Sequence, residues 1–177
     1  MKIIKTDIHD VLLIKPKIFS DQRGDFRETY REHRYREAGI DCKFVQDNLV
    51  HSVKNVFRGL HFQLPPHEQA KLITILKGEI LDVIVDLRKD SESYLKQLNI
   101  PLSAEKGEQL FIPEGFAHGY YVLSDNAIIS YKVSAPYAPE HQGGIRWDEP
   151  QFKLKDLFDN PLLSEQDKTL PRLKEIL

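Results

Sequence analysis

The chain has 177 residues, of which 41% are apolar, and 25 Lys and Arg stand against 27 Asp and Glu for a formal net charge of −2. That length fits one domain, residues 1–177, with a sizeable core, and the balance excludes the basic excess of a nucleic-acid or membrane-surface binder. A single cysteine, Cys42, excludes an intrachain disulfide, and with no apolar run near the ~20 residues of a bilayer span and no apolar leader in the first residues, a cytoplasmic protein is expected.

In chain order, residues 3–5 and 11–15 read as short strands, the second ended by Pro16. Asp21-Gln22-Arg23-Gly24 is a turn signal, and residues 25–30 alternate like a strand. Residues 32–38 carry good helix formers, with Gly39 as the stop. Strands are expected at 44–48 and 57–63, then a loop at Leu64-Pro65-Pro66-His67, because two prolines do not serve a central ladder. The two strongest strand patterns, 71–77 and 79–87, follow, with Gly78 as the turn between them. Residues 94–101, 109–112, 117–123 and 127–133 continue the pattern, and Ser164-Glu165-Gln166-Asp167 has the form of a helix start. Short, evenly spaced, turn-punctuated strands predict an all-β sandwich or barrel with short peripheral helices.

Chemistry concentrates around residues 56–87. Arg58-Gly59-Leu60-His61-Phe62-Gln63 sets a guanidinium and an imidazole among apolar residues, and Lys71 opens the next strand. Taken singly, each candidate has a plainer reading: His61 a bonded core histidine, Tyr131 a core tyrosine on the face of Ile129 and Val133, Asp167 a partner in the Ser164 helix cap, Lys71 a surface residue and Arg23 a solvated turn residue. Alternation puts His61 and Gln63 on one strand face and Arg58 and Leu60 on the other, so a cavity lined by both Arg58 and His61 requires a bulge, expected at Gly59.

Gly107-x5-Pro113-x-Gly115-x2-His118 is similar to the second motif of the cupins, small β-barrels that often hold a metal with three His and a Glu. The first cupin motif needs His-x-His, and this chain offers His61-x-Gln63, with His67 in the Pro-Pro loop as the only nearby substitute, so no metal is expected. His118 is then either bonded inside the barrel mouth or in contact with substrate.

The motifs together point further. Phe19-Ser20-Asp21-x-Arg23-Gly24-x-Phe26-x-Glu28, Gln46-x-Asn48, the Arg58–Gln63 hexapeptide, Lys71-Leu72, Gly78-Glu79-Ile80-x-Asp82-Val83-x-Val85-Asp86-x-Arg88, Ile112-Pro113-Glu114-Gly115-Phe116-Ala117-His118-Gly119 and Leu163-Ser164-Glu165-Gln166-Asp167 resemble the dTDP-4-dehydrorhamnose 3,5-epimerase family, in order and at the family's spacing. The resemblance implies a cupin-type double-stranded β-helix (jelly roll), with dimerisation strands at about 1–50, a barrel at about 51–135 and a closing segment at about 136–177. It implies cofactor-independent epimerisation at C3 and C5 of a nucleotide-diphosphate 4-keto-6-deoxyhexose. His61 matches the base, Asp167 its carboxylate partner, Tyr131 the acid across the sugar, and Lys71 the cation at the C4 oxygen. Arg23, Arg58, Phe26, Glu28, Gln46, Asn48, His118 and Tyr137 match nucleotide and substrate contacts, with the arm bearing Arg23 to Glu28 crossing into the neighbour's site in a homodimer. Alternatives are epimerisation at one centre only, a metal-dependent cupin, or a cupin that only binds sugar. The chain departs from the family pattern in lacking a Trp-Pro pair near residues 152–157, in carrying Leu95 where many members have Gly, and in Val50 where Ser is usual.

Overall fold

The computed structural model describes residues 1–158 and 160–176, so the last residue of the expected closing segment and residue 159 within it lie outside the described residues. Two short strands, β1 (Lys2–Lys5) and β2 (Leu12–Lys15), open the chain, followed by the hairpin β3 (Ile18–Asp21) and β4 (Gly24–Arg27) and helix α1 (Glu32–Glu37). Eight strands come next: β5 (Gln46–Val53), β6 (Phe57–Gln63), β7 (Lys71–Lys77), β8 (Glu79–Asp86), β9 (Gln97–Ser103), β10 (Gln109–Ile112), β11 (Phe116–Val122) and β12 (Asn126–Val133). A short strand, β13 (Gln142–Gly144), and a four-residue helix, α2 (Glu165–Lys168), complete the regular elements that position the site.

The strands form two antiparallel sheets, ordered β1-β2-β10-β7-β12-β5 and β13-β6-β11-β8-β9, with β3-β4 standing apart. Strands β5 to β12 thus divide four and four, and only β8 and β9 pair as consecutive strands, which is the order of a jelly roll. Ile73, Ile75, Leu110 and Ile129 from one sheet meet Ile80, Ile84, Tyr120 and Val122 from the other in a core that excludes water. The all-β expectation is therefore met. No helix among the described residues is long and apolar enough to cross a membrane.

Several local expectations need correction. Gly78 (φ +79) does not close a hairpin: β7 and β8 lie in different sheets, so it turns the corner between them, where an added Cβ would collide with the Asn126 carbonyl oxygen. The strand expected at 44–48 starts two residues later and runs on to Val53, paired with β12 along its whole length, while Phe44 leaves the ladder to pack edge-on against Tyr30. The strand expected at 25–30 ends at Arg27. The one expected from 94 begins at Gln97, because Leu95 sits at φ +60, a left-handed conformation that turns the chain and that glycine takes without steric penalty.

The closing segment is held by aromatic packing rather than by a Trp-Pro pair. Phe152, Leu154 and Phe158 are buried together with Phe57 and Tyr121, and Phe158 stacks on Tyr121 with ring centroids 4.2 Å apart. This anchor brings α2 against β6, where the catalytic candidates lie.

Candidate active site

Strand β6 carries the first two candidates on a bulge. His61 pairs with His118 of β11 but Arg58 pairs with Tyr120, so three steps along β6 match two along β11. Gly59 (φ +130) provides the extra residue, and only glycine fits: a Cβ there would lie 2.6 Å from Gly119 Cα. The bulge turns Arg58 and His61 to the same side, and both line one cavity of about 310 Å³ with Lys71, His118, Tyr120, Tyr131 and Asp167. A second cavity of about 350 Å³ adjoins it and is lined by Gln46, Asn48, Lys71, Tyr131, Tyr137 and, again, His61. His61, Lys71 and Tyr131 border both, so imidazole, ammonium and phenol open onto a common hollow.

Asp167 fixes the imidazole. Its Oδ1 accepts from His61 Nε2 at 2.6 Å, which leaves Nδ1 as the basic nitrogen of the neutral ring. The same carboxylate is held from behind: Ser164 Oγ donates to Oδ2 at 2.9 Å and accepts the Asp167 backbone N–H at 3.1 Å as the N-cap of α2. The helix cap and the bond to His61 are here one arrangement. Asp167 is almost wholly buried and His61 remains 30% exposed, so the ring is the open member of the pair.

Lys71 extends from the start of β7. Burial pulls its ammonium from the ordinary 10.5 down to about 8, opposed by the nearby Asp82 carboxylate. Tyr131 on β12 has its phenol pushed up by burial, with Arg58 opposing, so it stays neutral and able to donate. Arg58 donates through Nε to Ser52 Oγ at 3.1 Å, and that hydroxyl also bonds the Tyr120 hydroxyl at 3.0 Å. His118 is bonded inside the barrel mouth. It lines the hollow, and its Nε2 donates to the buried Asp82 Oδ2 at 2.9 Å. Burial holds its imidazole below the ordinary value, so it is neutral at pH 7.

On the other side, Gln46 donates to Asn48 at 2.9 Å and accepts the Tyr137 backbone N–H at 3.2 Å, which ties the two amides to the Tyr137 loop. Gln63, in the position of the missing second histidine, is used structurally: its amide bonds the backbones of His67, Pro136 and Ala138 and so pins the Tyr137 loop. His67 packs its ring on His141, 4.3 Å between centroids, and borders neither cavity. Among the described residues no group of three His, Cys, Asp or Glu side chains is placed to hold a metal ion.

Arg23, Phe26 and Glu28 are not brought to this hollow within one chain. They sit on or beside the β3–β4 hairpin, where Arg23 pairs with Asp21 at 2.6 Å, Glu28 pairs with Arg34 at 2.6 Å, and Phe26 is 68% exposed against Phe19. Sequence reasoning also left unassigned three residues that organise the site: Asp82, Ser52 and Tyr120. Asp82 had a legible signal, a carboxylate in the middle of a strand whose other charges, Glu79 and Asp86, stand at its ends, where a buried charge needs a partner.

The model of the family described as dTDP-4-dehydrorhamnose 3,5-epimerase matches residues 5–175. A protein of that description from Shigella flexneri is 46% identical over 168 residues, covering 94% of this chain and 93% of its own. The crystal structure of a dTDP-4-dehydrorhamnose 3,5-epimerase from Bacillus anthracis with TDP and PPi bound is 40% identical, with a TM-score of 0.94 over 97% of this chain and 99% of the other. That of a dTDP-6-deoxy-D-glucose-3,5-epimerase from Legionella pneumophila in complex with dTDP-4-keto-L-rhamnose, also 40% identical, gives 0.94 over 99% and 94%. Sequence and fold agree over nearly the whole length: this chain belongs to the dTDP-4-dehydrorhamnose 3,5-epimerase family and is an isomerase.

Proposed function

We propose that the protein inverts C3 and C5 of dTDP-4-dehydro-6-deoxy-D-glucose to give dTDP-4-dehydro-L-rhamnose, without a cofactor, in a cytoplasmic deoxysugar pathway. The observation that carries this reading is the convergence of the Asp167-held imidazole of His61, the phenol of Tyr131 and the ammonium of Lys71 on one hollow. The C4 ketone acidifies the neighbouring C–H bonds. His61 takes the proton through the nitrogen not bonded to Asp167, the electrons pass to the C4 oxygen as an enolate, and Tyr131 returns a proton from the opposite face. Transfer to imidazole is uphill by roughly a dozen pKa units, about 16 kcal/mol. A preorganised ammonium at the developing oxyanion offsets much of it. Lys71, at about 8, is mostly protonated at pH 7 and fits that role. Asp167 stabilises the imidazolium that forms.

The sugar lies at the seam of the two cavities, Arg58 contacts the diphosphate through its forked donors, His118 contacts the sugar, and Gln46, Asn48 and Tyr137 hold the nucleoside. One domain carries this site, and the β3–β4 arm completes it from a second copy in a homodimer, delivering Arg23, Phe26 and Glu28. The exposure of Phe19, at 52%, and of Phe26 supports that reading, since an aromatic hairpin tip left in water is a cost without a partner.

Turnover in D2O tests the proposal. Deuterium at both C3 and C5 of the product is expected. Label at one carbon alone converts the reading to a single-centre epimerase, and near-stoichiometric Fe, Ni or Zn required for turnover overturns it in favour of a metal-dependent cupin.

A further inference from the structure

Asp82 is wholly buried on the inward face of β8, and its two oxygens are treated differently. Oδ2 accepts from His118 Nε2 at 2.9 Å, while Oδ1 is buried with no hydrogen-bond partner among the described residues. An orphaned carboxylate oxygen in a protein interior is costly unless a positive charge compensates it. The nearby candidate is Lys71, which lines the hollow beside His118 and interacts electrostatically with the Asp82 carboxylate. The groups facing Lys71 are His61 and Arg58 from β6, Asp82 from β8, His118 and Tyr120 from β11, Tyr131 from β12 and Asp167 from α2. Only two of these are carboxylates, and Asp167 has both oxygens committed, to His61 and to Ser164. Among the described residues, Asp82 Oδ1 is the one carboxylate oxygen around the hollow without a hydrogen-bond partner.

We propose that Asp82 is a positioning residue: its unpartnered oxygen is the counter-charge that keeps Lys71 protonated and aimed at the substrate carbonyl, while its other oxygen fixes the His118 ring. The proposal rests on the reading of Lys71 as the cation at the C4 oxygen. Burial and Asp82 act on the ammonium in opposite directions. Without the carboxylate, burial acts alone, and Lys71 gives up its proton within the physiological range. Substrate affinity then changes little, because nucleotide contacts are untouched, and turnover falls because the electrophile is discharged.

Asp82→Asn separates charge from shape, since its amide oxygen still accepts from His118. Two readouts are taken on parent and variant, with folding checked by thermal melting and dTDP binding: the alkaline limb of kcat, and the pH dependence of Lys71 acylation followed by mass spectrometry. Expected are an alkaline limb near pH 8 in the parent, displaced downward by at least one pH unit in Asp82→Asn, with kcat at pH 7.5 reduced at least tenfold and KM within threefold. Lys71 acylation shifts in the same direction. In a Lys71→Met background, Asp82→Asn produces no further loss. If Asp82→Asn does not fold, Asp82→Ser, which leaves room for water, must show the same displacements. An unmoved limb and unmoved acylation profile, or full additivity with Lys71→Met, overturns the assignment of Asp82. Undiminished turnover in Lys71→Met overturns instead the reading of Lys71, and acylation alone then decides whether Asp82 governs its charge.

Discussion

Two His–carboxylate pairs border the same hollow, and they are built to opposite ends. In the pair between β6 and α2, His61 is 30% exposed and its carboxylate is saturated by Ser164 and the ring together. In the pair between β11 and β8, His118 is 10% exposed and its carboxylate keeps one oxygen unbonded. The Nε2–oxygen distances, 2.6 and 2.9 Å, do not separate them. Environment does. A ring open to the cavity and backed by a fully committed anion can take a proton and be stabilised when charged. A ring buried beside a carboxylate that also serves an ammonium is held neutral and fixed, and suits substrate contact.

The sharpest way to break that distinction is to exchange the rings for amides. His61→Asn is expected to lower kcat at least 10³-fold with dTDP affinity retained, because general-base catalysis is lost while the binding surface stays. His118→Asn is expected to lower kcat no more than about 100-fold, raise KM, and destabilise the fold by about 1–3 kcal/mol, since Asp82 loses its donor. Equal losses in kcat from the two variants would erase the assignment of base and contact. Asp167→Asn falls between, at about 10²–10³-fold in kcat, read as a steady-state rate at constant pH, because the ring loses the anion that stabilises its charged form.

How far this contrast could be read from the chain differs between its parts. Alternation and turn residues placed nearly every strand of the jelly roll, since those depend on near neighbours. Gly78 was misassigned because its role depends on which sheet each flanking strand joins, and that is settled by partners far away in sequence. The bulge at Gly59 was legible from a contradiction: Arg58 and His61 share a cavity only if alternation breaks between them, and the register does break there. Asp167 and Ser164 were legible as a cap, while their contact with His61 spans 106 residues and follows from the packing of Phe152, Leu154 and Phe158. Asp82 was present in the motif but given no role, because its importance lies in one oxygen lacking a partner, a fact of three-dimensional accounting. Arg23, Phe26 and Glu28 lie away from the hollow within one chain, so the sequence motif carries information about a second chain or about none.

A smaller effect follows from Lys71 and bears on both pairs, since it lies between them. Its folded value, about 8, is below the unfolded 10.5. Between those values the unfolded chain holds more protons, so the contribution of this group to stability rises with pH across the window while the proposed electrophile is being lost. Urea unfolding at pH 7.5 and pH 10 is expected to show the parent gaining about 2 kcal/mol relative to Lys71→Met. Activity moves the other way over the same interval. A parent and variant that track each other in stability would place Lys71 in bulk water and remove it from the hollow.

The smallest expected effect concerns Ser164, which serves cap and carboxylate at once. Ser164→Ala removes the acceptor for the Asp167 backbone N–H and the donor to Oδ2, with an expected loss of about 1 kcal/mol in stability and a few-fold loss in kcat. Those losses have separable causes. Ser164→Asp restores an N-cap acceptor but places a second carboxylate beside Asp167, so stability is expected to return toward the parent. An ionised aspartate cannot donate to Oδ2, so kcat is expected to stay at the Ser164→Ala level. A recovered melting temperature with kcat still lowered shows that the Ser164 hydroxyl holds the carboxylate as well as the helix. A recovered melt with kcat also recovered assigns it to the helix alone, and the saturation of Asp167 then ceases to distinguish this pair from the buried one.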